Sequence, residues 1–295
     1  MKRKFCLFCS ILLVSLTLCA CHSGNSGNSK NTGSNSFLFK KDELPRIDGS
    51  TANIYLALLV LQRVSGISEE EAYGLTQFTT TENAYGELLN GNTDILLVYE
   101  GTADENTDKL EIHPIGQDAL VFLVNQSNPV NNLTVKQIQD IYSDKIKGWN
   151  SVGGSSAKIQ AYQRSKGSGS QVLMEKLVMN GIKMGTPVKE NVLADMGGLI
   201  EAIASFQSGK DAIGYSVYYY VENMYKNSNV KCLSIGGVAP GNKTIKDGSY
   251  PFINDFYAVI RKDEPTNSSA RKLLNWLLSE DGKQAVEDAG YVSAK

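Results

Sequence analysis

From Leu44 onward short apolar runs alternate with helical patterns, and that alternation limits the possible folds more than any other feature of the chain. Ser50-Thr51-Ala52-Asn53 ahead of Ile54 to Leu61 places a hydroxyl cap before an apolar helix. Glu82 to Leu89 reads as a second helix closed by Asn90-Gly91, and Asp94 to Tyr99 as the buried strand after it. Ala119 to Asn125 is a further strand, followed by Asn128-Pro129-Val130 and a helix capped near Thr134 with Val135, Ile138 and Ile141 on one face. Ile159 to Gln163 is extended, a loop from Arg164 to Ser170 follows, and Gln171 to Met179 is helical. Leu199 to Phe206, Ser268 to Leu278 and Gly282 to Ala289 are helices, with strands at Ala212 to Ser216 and Phe256 to Arg261. Strands alternating with helices in two blocks predict an α/β architecture with mostly parallel sheets. No fixed-period repeat points to a solenoid.

The front of the chain reads as an address. Met1-Lys2-Arg3-Lys4 is a positive n-region, and Phe5 to Leu18 is an apolar stretch too short, and too closely followed by polar residues, for a membrane span. Residues 1–20 are thus expected to be a signal peptide. Leu18-Cys19-Ala20-Cys21 resembles the lipobox of bacterial lipoproteins, where a small residue precedes the cysteine that receives diacylglycerol. Cys21 would become the mature, lipidated N-terminus, and acyl chains worth ~0.8 kcal/mol per buried methylene would hold the protein on the outer face of the membrane. His22 to Ser36 offers no apolar side chain to bury, so residues 21–36 form a flexible tether.

A chain of 295 residues suggests roughly two domains of about 100–200 residues each. Its net charge of -2 excludes bulk attraction to nucleic acid or anionic lipid, so any anion site has to be local. Cys6, Cys9, Cys19 and Cys21 crowd the first stretch, leaving Cys232 alone in the body. A disulfide framework is therefore excluded there, and with only His22 and His113 to join Cys232 a structural zinc site is not expected. Cys232 is expected to be a small buried apolar residue.

Two segments put hydroxyl and glycine residues between an extended stretch and a helix: Asp48-Gly49-Ser50-Thr51 and Gly167-Ser168-Gly169-Ser170. At such a junction free backbone N–H groups and the positive end of the helix dipole point at one spot, and Ser or Thr hydroxyls add donors. Each is a potential anion cradle, and Arg164, four residues ahead of Ser168, can curl back to grip two oxygens at once. Lys166 precedes the glycines and no Gly-Lys-Ser/Thr follows, so this is not a Walker A loop. Nor does it have the flanking glycines of a nucleophile elbow, and His113, the one body histidine, precedes Pro114 as a surface or hinge residue. An enzyme is the least supported class, and no cofactor is called for.

Asp48 to Ala52, Pro114 to Asn125, Leu133-Thr134 through Trp149 to Gly154, Arg164 with Gly167 to Ser170, Ala212 to Tyr215, and Gly282 to Val292 occur in one order over nearly the whole body. That ordered set resembles the phosphate-binding protein of bacterial phosphate ABC transporters. The resemblance implies a type II periplasmic-binding-protein-like fold of two lobes, joined by two crossovers near Asp118 and Asp255, that close on a ligand. Lobe one would comprise 37–117 plus 256–295, and lobe two 118–255. Carried onto matching positions, the phosphate donors are Ser50, Thr51, Ser168, Gly169 and Ser170, and the paired arginine is Arg164. The family's acidic side chain, which accepts the proton of monohydrogen phosphate, falls on Glu100 in Tyr99-Glu100-Gly101-Thr102. The implied partners are inorganic phosphate or a similar oxyanion and the permease subunits of an ABC importer, with the receptor a monomer. Another small polar solute, or a surface lipoprotein for adhesion or signalling with Tyr218-Tyr219-Tyr220 as its exposed patch, are the alternatives.

Overall fold

The computed structural model describes residues 37–99, 107–205 and 209–294. The expected signal segment and tether, Cys21 and Glu100 lie outside the described residues. Strands and helices, numbered in chain order, begin with β1 (Ile47–Gly49), α1 (Ile54–Ser65), α2 (Glu69–Gly74), α3 (Thr81–Leu89) and β2 (Ile95–Tyr99). β3 (Leu110–Asn125), β4 (Asn132–Leu133), α4 (Val135–Tyr142), β5 (Gln160–Ala161), β6 (Gln163–Arg164) and α5 (Gly169–Leu173) follow. Next come β7 (Val192–Leu193), α6 (Met196–Ala204), β8 (Ala212–Val217), β9 (Val230–Cys232), β10 (Ser234–Ile235) and α7 (Asn242–Lys246). The chain closes with β11 (Ile253–Arg261), α8 (Ser269–Leu277), α9 (Glu280–Asp288) and β12 (Val292–Ser293).

Local chemistry sets these boundaries. Ser268 caps α8 by accepting the Arg271 N–H, and Ala270, Leu273, Leu274 and Leu277 form the buried stripe that a helical period requires. Thr134 and Gln137 make a reciprocal capping box at the start of α4. α1 buries Leu56, Ala57, Val60, Leu61 and Val64, and stops where Gly66 takes up φ 71.

β3 decides the architecture. From Leu110 to Ala119 it pairs with β11, and from Leu120 to Val124 with β8, so one strand serves two half-sheets in succession. β11 returns beside it, with Phe252 O accepting the Leu120 N–H at 2.9 Å where the pairing changes. The resulting sheet runs β1-β2-β11-β3-β8-β5, with β9 and β12 also on β3. β1–β2 and β5–β8 are parallel, but β11 is antiparallel to β2 and β3, and β8, β9 and β12 are antiparallel to β3. The expectation of mostly parallel sheets is therefore wrong at the centre. A chain that leaves one half through a strand and comes back through its neighbour has to run the second strand in reverse.

Two further expectations change. Tyr218-Tyr219-Tyr220 is not an exposed patch but the helical turn after β8; Tyr218 and Tyr220 are partly buried, and Tyr219 is buried and stacks on Tyr291 with ring centroids 3.6 Å apart. Cys232 is only partly buried, and the burial it has pushes its thiol up to about 12. The core of the β8 half is aromatic: Phe122 lies 6.1–6.2 Å from Tyr142 and Tyr215 and 5.9 Å from Phe252.

Gly49 is where β1 meets β2 most tightly. A Cβ there would sit 1.9 Å from the Leu97 carbonyl oxygen, at φ 156. Gly86, inside α3, faces open space instead. Gly49→Ala should lower the unfolding free energy by more than ~2 kcal/mol, while Gly86→Ala should raise it by about 0.5–1 kcal/mol, both read from denaturant melts.

Candidate functional site

β1 ends at Gly49, and the chain bends at once into a 3₁₀ turn over Thr51–Asn53 that runs into α1. Ser50 occupies the bend. Its N–H donates to Leu97 O at 3.0 Å, its Oγ accepts the Tyr99 N–H at 3.1 Å, and the same Oγ lies 2.7 Å from Thr81 Oγ1 at the start of α3. Behind it the fully buried Asp48 carboxylate accepts the N–H groups of Gly49 and Thr79 at 2.6 and 2.9 Å and the Thr79 hydroxyl at 2.8 Å. Asp48 thus fixes Thr79, and through it the first turn of α3, against Ser50. Thr80 between them has φ 104 and ψ 157, a strained conformation for a β-branched residue.

β6 brings Arg164 from the other half. Its N–H is held by Gln171 Oε1 at 3.1 Å and the Tyr215 hydroxyl oxygen at 3.2 Å; Tyr215 itself donates to Gln171 Oε1, and Gln171 Nε2 donates to Glu175 at 2.7 Å. This braces the strand against α5, whose cap is Ser168. Ser168 Oγ and O take the N–H groups of Gln171 and Val172, which leaves Gly169 and Ser170 N–H without an acceptor among the described residues. α5 continues as a π-helical stretch to Met179, where an α-helix to that residue is expected from the sequence.

The Arg164 guanidinium donates to Leu193 O at 3.0 Å, Ala194 O at 3.0 Å and Ser170 Oγ at 3.2 Å. Those bonds use three of its five N–H groups. The residue is 7% exposed, and among the described residues no carboxylate forms an ion pair with it. Burial lowers its pKa below the ordinary arginine value, the response of a cation that has lost water. Tyr215, Asp195 and Tyr220 offset this in part through longer-range attraction.

Ser50, Thr51, Arg164, Ser168, Gly169 and Ser170 line one cavity of about 60 Å³, far below the ~300–1,000 Å³ of sites for drug-sized ligands. The two sequence segments singled out as cradles therefore face the same space. Thr80, Thr81 and Tyr99 line it too, with Met196 and Val217 as apolar wall. The threonines escaped the sequence reading although Thr79-Thr80-Thr81 carries the signal that marked Ser50-Thr51, hydroxyls just ahead of a helix. Tyr99 has no such signal, because its place depends on strand pairing. Three helix starts and one guanidinium converge here, a donor-rich, positively polarised site fitted to a small anion. Among the described residues no group of three or more His, Cys, Asp or Glu side chains could hold a metal ion.

The family model described as the PBP superfamily domain matches residues 40–281. The phosphate-binding protein PstS of Staphylococcus haemolyticus is 31% identical over 229 residues, covering 72% of this chain and 70% of that one. A substrate-binding protein from Clostridium perfringens, solved with bound phosphate, aligns at TM-score 0.68 and 23% identity, over 84% of this chain and 98% of that structure. An ABC-type phosphate transport receptor from Vibrio cholerae aligns at TM-score 0.62 and 24% identity, over 83% and 98%. These two structures carry the fold, the two-lobed α/β arrangement built on β3 and β11, and the family match carries the ancestry. The chain belongs to the PBP superfamily and, within it, to the family of PstS phosphate-binding proteins.

Proposed function

We propose that this chain is an extracytoplasmic receptor that captures inorganic phosphate and delivers it to the permease subunits of an ABC importer. The observation that carries this is Arg164: a buried cation with hydrogen bonds to neutral groups alone among the described residues, beside the free N–H donors of α5 and the Ser50–Thr81 hydroxyl pair. An anion of tetrahedral oxygens supplies the missing charge and accepts from all of these donors at once. The PstS relatives and the Clostridium perfringens structure with bound phosphate support phosphate as that anion. No step of bond making is needed, so the chain acts as a binder and not as an enzyme.

In this reading the lobes are 37–117 plus 256–295 and 118–255, and they part and close about the crossings near Asp118 and Asp255. Phosphate is held by Ser50, Thr51, Ser168, Gly169, Ser170 and Arg164, joined by Thr80 and Thr81. Neutral donors and a guanidinium serve sulfate as well as phosphate; telling them apart takes an acceptor for the proton that phosphate keeps. That role is assigned to Glu100. The receptor works as a monomer, tethered by the lipid on Cys21 to the outer face of the cytoplasmic membrane.

Titration calorimetry should show one phosphate per chain. Arg164→Ala should weaken it at least about thirtyfold, the ~2 kcal/mol lower bound for truncating one partner of a buried charge pair. A Cβ on Gly169 would lie 3.1 Å from Thr81 Oγ1, so Gly169→Ala should prop the cleft and weaken binding about tenfold while the melting temperature stays near that of the wild type. Arsenate should compete and sulfate should not, with Glu100→Gln narrowing the difference. Absence of any phosphate heat would remove the proposal. Cys21→Ser should release the protein from membranes on fractionation, whereas continued retention would remove the lipid anchor.

A further inference from the structure

β3 passes between the half-sheets at Asp118, a carboxylate that is 2% exposed. Its Oδ2 accepts the Tyr99 hydroxyl at 2.7 Å, and its Oδ1 accepts the Ala119 N–H at 2.8 Å. The Tyr219 N–H approaches both oxygens, at 3.1 and 3.3 Å. Tyr99 ends β2 and forms part of the cavity wall, whereas Tyr219 follows β8 in the other half. One carboxylate therefore bonds the wall of the anion cavity to both halves of the molecule.

Among the described residues, what faces Asp118 is neutral. Tyr99 on β2, Tyr218 and Tyr219 after β8, and Tyr291 ahead of β12 are the titratable groups that feel its charge. Asn254 stands opposite it on β11, and Asp255, the next residue, belongs to the other face, where it accepts from Gln117 Nε2 at 2.9 Å. No cation among the described residues pairs with Asp118. Burial outweighs the hydroxyl and N–H donors and pushes the carboxyl up to about 6. A phosphate dianion beyond the Tyr99 side chain adds like-charge repulsion of the same sign.

Resting on the phosphate reading above, we propose that Asp118 is a proton-linked positioning residue: filling the cavity draws a proton from solvent onto Asp118, and loss of that proton loosens the bound anion. The sign follows from the raised carboxyl. Well below pH 6 Asp118 is neutral in the empty and the filled protein and leaves binding unaffected. Above that pH the empty protein carries the charge, and binding must either take up a proton or bear the repulsion.

The test is the phosphate dissociation constant of the wild type and of Asp118→Asn between pH 5 and 8. In the ratio of wild type to variant the ionisation of phosphate itself cancels. That ratio should climb at least about fivefold with rising pH, the low end of ordinary coupling between two sites. A carboxamide that merely fits less well offsets the ratio equally at every pH. A flat ratio with both proteins binding overturns the role of Asp118 and leaves phosphate capture standing; no binding by either at any pH removes both. Should Asp118→Asn fail to fold, Tyr99→Phe replaces it. Without the phenol's hydrogen bond the carboxyl holds its proton to higher pH, so the ratio of wild type to that variant should rise between pH 5 and 7, and a flat ratio again overturns the proposal.

Discussion

Arg164 keeps its positive charge in a place that water scarcely reaches, with two carbonyl oxygens and a hydroxyl as its partners. Removing a lone cation from water costs several kcal/mol even after relaxation, and neutral acceptors return only part of that. The rest of the site follows from this deficit. Around the free N–H groups of the guanidinium stand the first turn of α5, the bend at Ser50 and the start of α3, all presenting donors, with no carboxylate among the described lining residues. An arrangement of this kind is unfavourable when vacant and favourable when an anion completes it, which is what a receptor for a small ion requires.

The fold supplies the alignment. Ser50 and Thr81 come from the β1–β2 half and Arg164, Ser168 and Ser170 from the β8 half, and the two halves share β3 as a continuous strand. Asp48 locks the first set and the Tyr215–Gln171 pair locks the second, so neither depends on the ligand for its own geometry. Asp118 stands where the two sets are joined. Its bonds to Tyr99 and to the Tyr219 backbone tie the cavity wall to the crossing, so a change of charge at that point is felt by both halves.

Most helices were legible from local chemistry, because hydroxyl caps and apolar stripes are short-range signals: α8 starts one residue after Ser268, its cap, whereas α9 starts after the Ser279 cap, two residues ahead of the expected Gly282. The strands were read less well. Ala119 to Asn125 announced itself as apolar, but the first half of β3, with Glu111, His113, Pro114 and Gln117, holds no apolar run, and its place as strand is evident only when β11 is laid beside it. The same cause hid the antiparallel centre of the sheet, since pairing direction is a property of two distant segments. Within the site, Ser50, Thr51, Arg164 and the Ser168 loop were visible as helix starts and a nearby guanidinium. Only the family resemblance joined them around one ligand and put a crossing near Asp118; local chemistry gave no sign of Tyr99 or of the bonds that Asp118 makes, which depend on what the crossing packs against them.

The central claim is that the charge on Arg164 is completed by the ligand, and equilibrium unfolding across phosphate concentrations tests it most directly. Wild-type unfolding free energy should rise by about 1.4 kcal/mol for each tenfold increase in phosphate above the dissociation constant, while Arg164→Met, which keeps the bulk and removes the charge, should begin to rise only at phosphate concentrations at least about thirtyfold higher. The same onset for the two proteins, or no rise for the wild type, would contradict it.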